Sequence, residues 1–190
     1  MDRFTPRTAA IAATFAANGV LFASWVSRIP AVRDRLDISE GALGLAILGL
    51  TTGAIASMIH TGRLTHRFGR PTLPAAVALG GAALVAATAA PGVAWLAAGL
   101  VLAGLGMGVW DVGMNVAAHE LELASARPLM PMFHAAFSLG ALAGSGIGAL
   151  AAHDPVAWSR TDGAVPRAPC AGRPRKIGVD GSRWKRFHGV

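Results

Sequence analysis

His60–Leu73 reads HTGRLTHRFGRPTL, a basic stretch punctuated by glycine. The runs on either side, Gly41–Ile59 and Leu73–Ala90, contain no ionisable residue. At about 1.5 Å of rise per residue, each run is long enough as a helix to cross a hydrocarbon core of about 30 Å. Helix is the form that fits, because a lone strand in lipid leaves its backbone groups unpaired. A cluster of arginines between two such runs therefore belongs at a membrane surface, and the pattern reads helix, basic turn, helix.

Working outward, the same vocabulary recurs. Thr8–Val26, Val93–Ala118 and Met130–Ala152 are three further apolar runs, which makes about five spans within residues 1–153. The fold class expected is all-α, a polytopic transmembrane helix bundle. Composition agrees: 14% of residues are charged, against about 25% in an ordinary soluble domain, and mean hydropathy is +0.49. Arg3 and Arg7 precede the first run as in a secretory signal, but that run continues through Trp25 to Arg28 without a small-x-small cleavage site. Gly104-x-x-x-Gly108 and Gly140-x-x-x-Gly144 are spacings that let helices approach closely.

The net charge of +7 suggests a nucleic-acid binder only if it is spread over a soluble surface. It is not. Residues 1–153 hold nine Arg against seven acids, whereas residues 154–190 hold eight Lys/Arg against three Asp. Arg3, Arg7, Arg63, Arg67, Arg70 and Arg127 fall on one side of a five-span layout, and Arg28, Arg33 and Arg35 on the other. That bias predicts a cytoplasmic N-terminus and a cytoplasmic turn at His60–Leu73. The 154–190 tail, rich in Arg, Pro and Gly, has no run long enough to span, and it reads either as a disordered tail or as the product of a reading-frame change. The single cysteine, Cys170, excludes an internal disulfide framework.

Gly62-Arg63-Leu64-Thr65-His66-Arg67-Phe68-Gly69-Arg70 resembles the loop between the second and third helices of the major facilitator superfamily, G-x-x-x-D-R-x-G-R-R/K. Gly62, Arg67, Gly69 and Arg70 match; His66 replaces the usual acid and Pro71 a usual basic residue. The resemblance implies a latch between the two halves of a transporter, and the missing acid removes its usual partner. The stretches FASWVSRIPAVRDRLDISEGALGLAILGL and GVWDVGMNVAAHELE with RPLMPMFHAAFSLGALAG look like a bacterial inner-membrane branch that groups with rhizopine-type and sugar-permease-like members. Together the resemblance covers about residues 8–152. It implies a secondary transporter of a small solute in the bacterial inner membrane, lying in the lipid bilayer. The chain then corresponds to a truncated, inactive N-terminal part, with the sixth helix and C-terminal half missing. The alternative is a non-transporting membrane subunit or a short independent membrane protein. The arginine that many proton-coupled members carry in the fourth helix is replaced by Leu102.

Asp111 is the acid inside a span, where insertion costs about 2.5–3.5 kcal/mol unless it is paired or hydrated. Asn115 lies one helical turn on. His134, at similar depth on the next helix, is one prospective partner, with Ser138 a turn beyond it; Arg63 or Arg67 is another. Alternatively, Asp111 faces solute or protons directly, or is an interfacial, solvated acid. Asn18, Phe22 and Trp25 share one face of the first helix, a stripe suited either to a sugar-like ligand or to helix packing. Phe133 and Phe137 read as packing residues. His60, His66 and His119 have no metal-ligand spacing. Gly104, Gly106 and Gly108 imitate a nucleotide loop but follow no strand. No cofactor, metal or nucleic-acid partner is expected, and no catalytic arrangement.

Overall fold

A computed structural model describes residues 5–69 and 71–153. Six helices follow one another: α1 Pro6–Val26, α2 Ile29–Leu36, α3 Glu40–Phe68, α4 Thr72–Thr88, α5 Val93–Ser125 and α6 Met130–His153. Among the described residues there is no strand. Four stretches are long and apolar enough to cross a membrane: Pro6–Leu36, Glu40–Phe68, Val93–Ser125 and Met130–Leu150. Helix α4 is shorter, at 17 residues.

Close glycine contacts set the register. A Cβ at Gly140, Gly144 or Gly148 would strike the backbone of Ala16, Val20 or Ser24 respectively, so α1 and α6 run parallel. Gly53 packs on Val101 and Leu105, Gly104 on Leu50 and Ala54, and Gly108 on Ala54 and Ser57, so α3 and α5 also run parallel. Helix α4 is antiparallel to α5, with Leu73 at Gly113, Gly80 at Gly106 and Ala87 at Gly99. Two parallel helices must begin at the same end, so α4 returns the chain across the thickness that α3 has just crossed. Both small-residue spacings noted in the sequence lie at such contacts, where small side chains bring backbones together.

Helix limits differ from the apolar limits in two places. Helix α3 continues nine residues past Ile59, through Gly62, Arg63 and Arg67, and ends where Gly69 adopts φ 67°. The basic stretch is thus largely helix, and only Gly69–Pro71 separates it from α4. Helix α5 likewise continues past Ala118 to Ser125. Polar residues of good helix propensity, such as Arg63, Arg67 and Glu120, carry a helix past the point where lipid requires apolar side chains. Apolarity marks the edge of the lipid; propensity and caps mark the edge of the helix. Arg70, Arg3, Cys170 and the 154–190 tail lie outside the described residues.

Charged side chains tie down the connections. Arg35 of α2 donates to the carbonyls of Ala90 (2.9 Å) and Thr88 (2.8 Å) at the end of α4. Glu122 Oε2 accepts from the backbone N–H of Leu129 (2.6 Å) and Met130 (2.7 Å), capping the start of α6 with a negative charge. Glu122→Ala leaves both donors without their charged acceptor and is expected to destabilise the protein by about 2 kcal/mol. Glu122→Gln, whose amide oxygen still accepts, should fall between. Unfolding midpoints in mixed detergent micelles measure this, and equal midpoints for all three proteins would refute the cap.

The buried core divides by depth. One cluster gathers Trp25, Val32, Leu84, Leu96 and Leu100 near the ends where α1 stops and α5 starts. The other gathers Ile11, Phe15, Trp110, Met114 and Phe133 towards the opposite ends. Phe15 and Phe133 stack with ring centroids 5.5 Å apart.

Candidate functional site

Between the two core clusters the packing opens. A cavity of about 430 Å³ is lined by Asn18, Phe22 and Trp25 from α1, Thr51 and Met58 from α3, Asp111 from α5, and Phe137 from α6. Helical spacing places the α1 residues there: positions 18, 22 and 25 recur on one face. The approach of Gly104 and Gly108 to α3 brings that helix close beside Asp111, so the wall is set by small residues and the polar groups project from it.

The polar inventory of the cavity is short. Asn18 is 5% exposed, and its side chain lines the cavity. Trp25 is 3% exposed, with its Nε1 buried and without a hydrogen-bond partner among the described residues. Buried polar groups are ordinarily hydrogen-bonded, so each such group has an explanation to find. Asp111 is half-buried, and Asn115 Nδ2 donates to its carbonyl oxygen at 2.9 Å and meets its Oδ1 at 3.4 Å. The cavity thus combines the Asp111 carboxylate and the Asn18 amide with the aromatic side chains of Phe22, Trp25 and Phe137. Such a set suits a small polar solute held by hydrogen bonds and ring contact.

The other candidates stand elsewhere. His134 is exposed, with its ring tilted against Phe15 at 5.6 Å and its Nδ1 3.0 Å from the Met130 carbonyl oxygen. No ion pair within 4.0 Å joins it to Asp111, nor does one join Asp111 to Arg63 or Arg67. The ion pairs among the described residues are Arg7 with Glu120 and Arg33 with Glu40. His134 stands against Phe15, near enough for its charge to act on Asp111 but outside ion-pair distance, whereas Arg63 and Arg67 sit on the exposed side of α3, with Arg67 over the Phe68 ring at 5.7 Å. Ser138 is also exposed, donating to the His134 carbonyl. Gly62 is exposed and helical, and Gly69 supplies the turn.

Comparison with known proteins agrees with the membrane-spanning helices. The chain is 37% identical over 142 residues to the uncharacterised transporter y4wD of Sinorhizobium fredii, a match covering 74% of this chain and 38% of that protein. It is 34% identical over 134 residues to an uncharacterised MFS-type transporter of Yersinia pestis, covering 67% and 34%. Over this stretch the chain belongs to the major facilitator superfamily. A third relative, membrane protein MosC of Rhizobium meliloti, is 34% identical over 137 residues, covering 71% of the chain and 33% of MosC. This major-facilitator chain spans about a third of the length of the curated relatives it matches. No family model and no solved structure matches it.

Sequence reasoning alone missed the α3 wall of this major-facilitator cavity. Ile47, Thr51, Ala54 and Met58 recur at helical spacing along that wall. The signal was present as Thr51, but Thr52 and Ser57 are polar residues of the same run, and nothing in the run itself ranked one face above the others.

Proposed function

We propose that residues 5–153 form one wall of the solute path of a secondary transporter in the bacterial inner membrane, with the N-terminus cytoplasmic. In this reading the solute is a small polar molecule of the sugar or polyol class, as in the rhizopine-type and sugar-permease-like branch. Asn18 and Trp25 donate to it, Asp111 accepts from it, and Asn115 orients the Asp111 carboxylate. His134 is assigned no solute contact. Gly62, Arg63, Arg67, Gly69 and Arg70 serve as the cytoplasmic latch. A wall alone cannot open to the two sides in turn, so the chain by itself moves no solute; alternating access needs a second body rocking against the first. The observation that carries the reading is the convergence of Asn18, Trp25 and Asp111 on one cavity.

The experiment is a chimera in which the matched stretch of this chain replaces its counterpart in y4wD. It is tested for uptake against a panel of labelled sugars and polyols, beside the chain alone in liposomes. The chimera is expected to show saturable uptake of at least one solute, and the chain alone none. Saturable uptake by the chain alone would reject the one-wall reading and indicate an independent protein. A chimera that inserts but moves nothing on the panel rejects the solute class.

Orientation has its own test. With Cys170 replaced, Thr65→Cys is expected to resist a membrane-impermeant maleimide in intact cells and Asp37→Cys to react. Both positions are exposed, Asp37 at the end of α2 just before α3 and Thr65 in the last turn of α3. The reverse pattern overturns the cytoplasmic N-terminus.

A further inference from the structure

On the side of α3 away from the solute cavity, α3 and α4 diverge over α5. Close contact of Gly80 and Gly106 holds α4 to α5, and Gly104 and Gly108 hold α3 to α5. What remains is a wedge-shaped groove of about 580 Å³. Its α3 side presents Ala56, His60, Leu64 and Phe68, four residues at a spacing of four. Its α4 side presents Ala75 and Leu79, and Leu105 lies on its α5 floor.

Two observations say what fits there. First, length: Ala56 to Phe68 is about 18 Å along the helix, and the groove reaches from the α3–α4 turn to Leu79 near the middle of α4. That is close to the depth of one leaflet, half of a core of about 30 Å. Second, charge: the groove is apolar within and cationic at its surface end. Arg67 is exposed over the ring of Phe68, itself a groove residue, and Arg63 lies one turn earlier on the same helix. No carboxylate neutralises either arginine among the described ion pairs.

We propose that this groove is a binding site for one anionic phospholipid, with an acyl chain between α3 and α4 and the phosphate on Arg67 and Arg63. Guanidinium groups suit phosphate because they present paired donors in a fixed plane. The site rests on membrane insertion alone and is independent of the solute-path reading.

The test is native mass spectrometry of the full chain, extracted in mild detergent from vesicles of equal phosphatidylglycerol and phosphatidylethanolamine. One retained phospholipid is expected, enriched in phosphatidylglycerol about fivefold for each arginine engaged. The double variant Arg63→Ala with Arg67→Ala should still retain a lipid but lose the enrichment. Ala75→Trp, which fills an exposed position in the groove, should retain none while circular dichroism stays helical. Equal retention by Ala75→Trp, or no headgroup preference in the unsubstituted chain, overturns the site. A dimer that Ala75→Trp splits, with no lipid held, assigns the groove to a second copy and overturns it as well. Inorganic phosphate binding equally well without lipid reduces the site to an anion contact.

Discussion

Gly140→Val is expected to separate α1 from α6 and to lower the stability of the folded bundle by about 3 kcal/mol, the upper end of what overpacking commonly costs. The added carbons meet the carbonyl and Cα of Ala16. Those are backbone atoms of a hydrogen-bonded helix, which cannot swing aside as a side chain does. Relief therefore requires the whole helix to move, and moving it also opens the contacts of Gly144 with Val20 and Gly148 with Ser24. Gly146→Val is the matched control, because its Cβ meets open space. That change should stay within about 0.5 kcal/mol, as surface substitutions usually do. Denaturation midpoints in mixed micelles give both values. Equal midpoints would mean that the row of glycines does not set the α1–α6 contact.

Asp111→Ala in the y4wD chimera is expected to reduce uptake at least about tenfold, or about 1.4 kcal/mol in the barrier, at unchanged membrane abundance. The carboxylate lines the cavity and has no ion pair among the described residues, so on the proposed reading its loss removes a solute contact, with His134 the nearby group that feels its charge. Asn115→Ala should cost less, about threefold, because its amide donates mainly to the Asp111 backbone and only weakly to the carboxylate, at 3.4 Å. Abundance measured beside uptake separates the roles. If protein level falls in parallel with uptake, Asp111 is structural. If uptake and abundance both stay at the level of the unsubstituted chimera, it has neither role. Adding Arg67→Ala to Asp111→Ala should restore nothing, since no ion pair joins the two.

The bundle was legible in the sequence because lipid demands long apolar runs, and those runs coincide with the helices to within a few residues at most ends. The exceptions, the ends of α3 and α5, share one cause: hydropathy stops at the membrane surface while the helix does not. The short helix α2 was hidden for a related reason. Its charges in PAVRDRL read as an aqueous segment, whereas Arg35 turns back to the end of α4 and Val32 is buried. At the cavity, the stripe of Asn18 and Trp25 and the acid Asp111 were each legible as residues that lipid would not tolerate without a reason. Their convergence depends on how α1 is rotated against α3 and α5, which the order of residues does not encode locally. His134 illustrates the same limit: depth along a helix follows from counting, but the direction a ring faces is decided by its neighbours, here Phe15.

The hydrogen bonds from Arg35 to Thr88 and Ala90 bear on how the protein fits its bilayer. Seventeen residues give α4 a length of about 26 Å, a few ångströms short of a core of about 30 Å. A helix too short for its membrane must thin the lipid or leave terminal carbonyls within hydrocarbon, where each unsatisfied group costs several kcal/mol. The guanidinium of α2 serves those carbonyls in place of water, so the end of α4 is closed by protein instead of needing to reach the headgroups. Hydrophobic mismatch is thereby absorbed inside the molecule. A chain carrying Arg35→Ala should in turn become sensitive to bilayer thickness, folding well in short-chain lipids and progressively less well as the acyl chains lengthen.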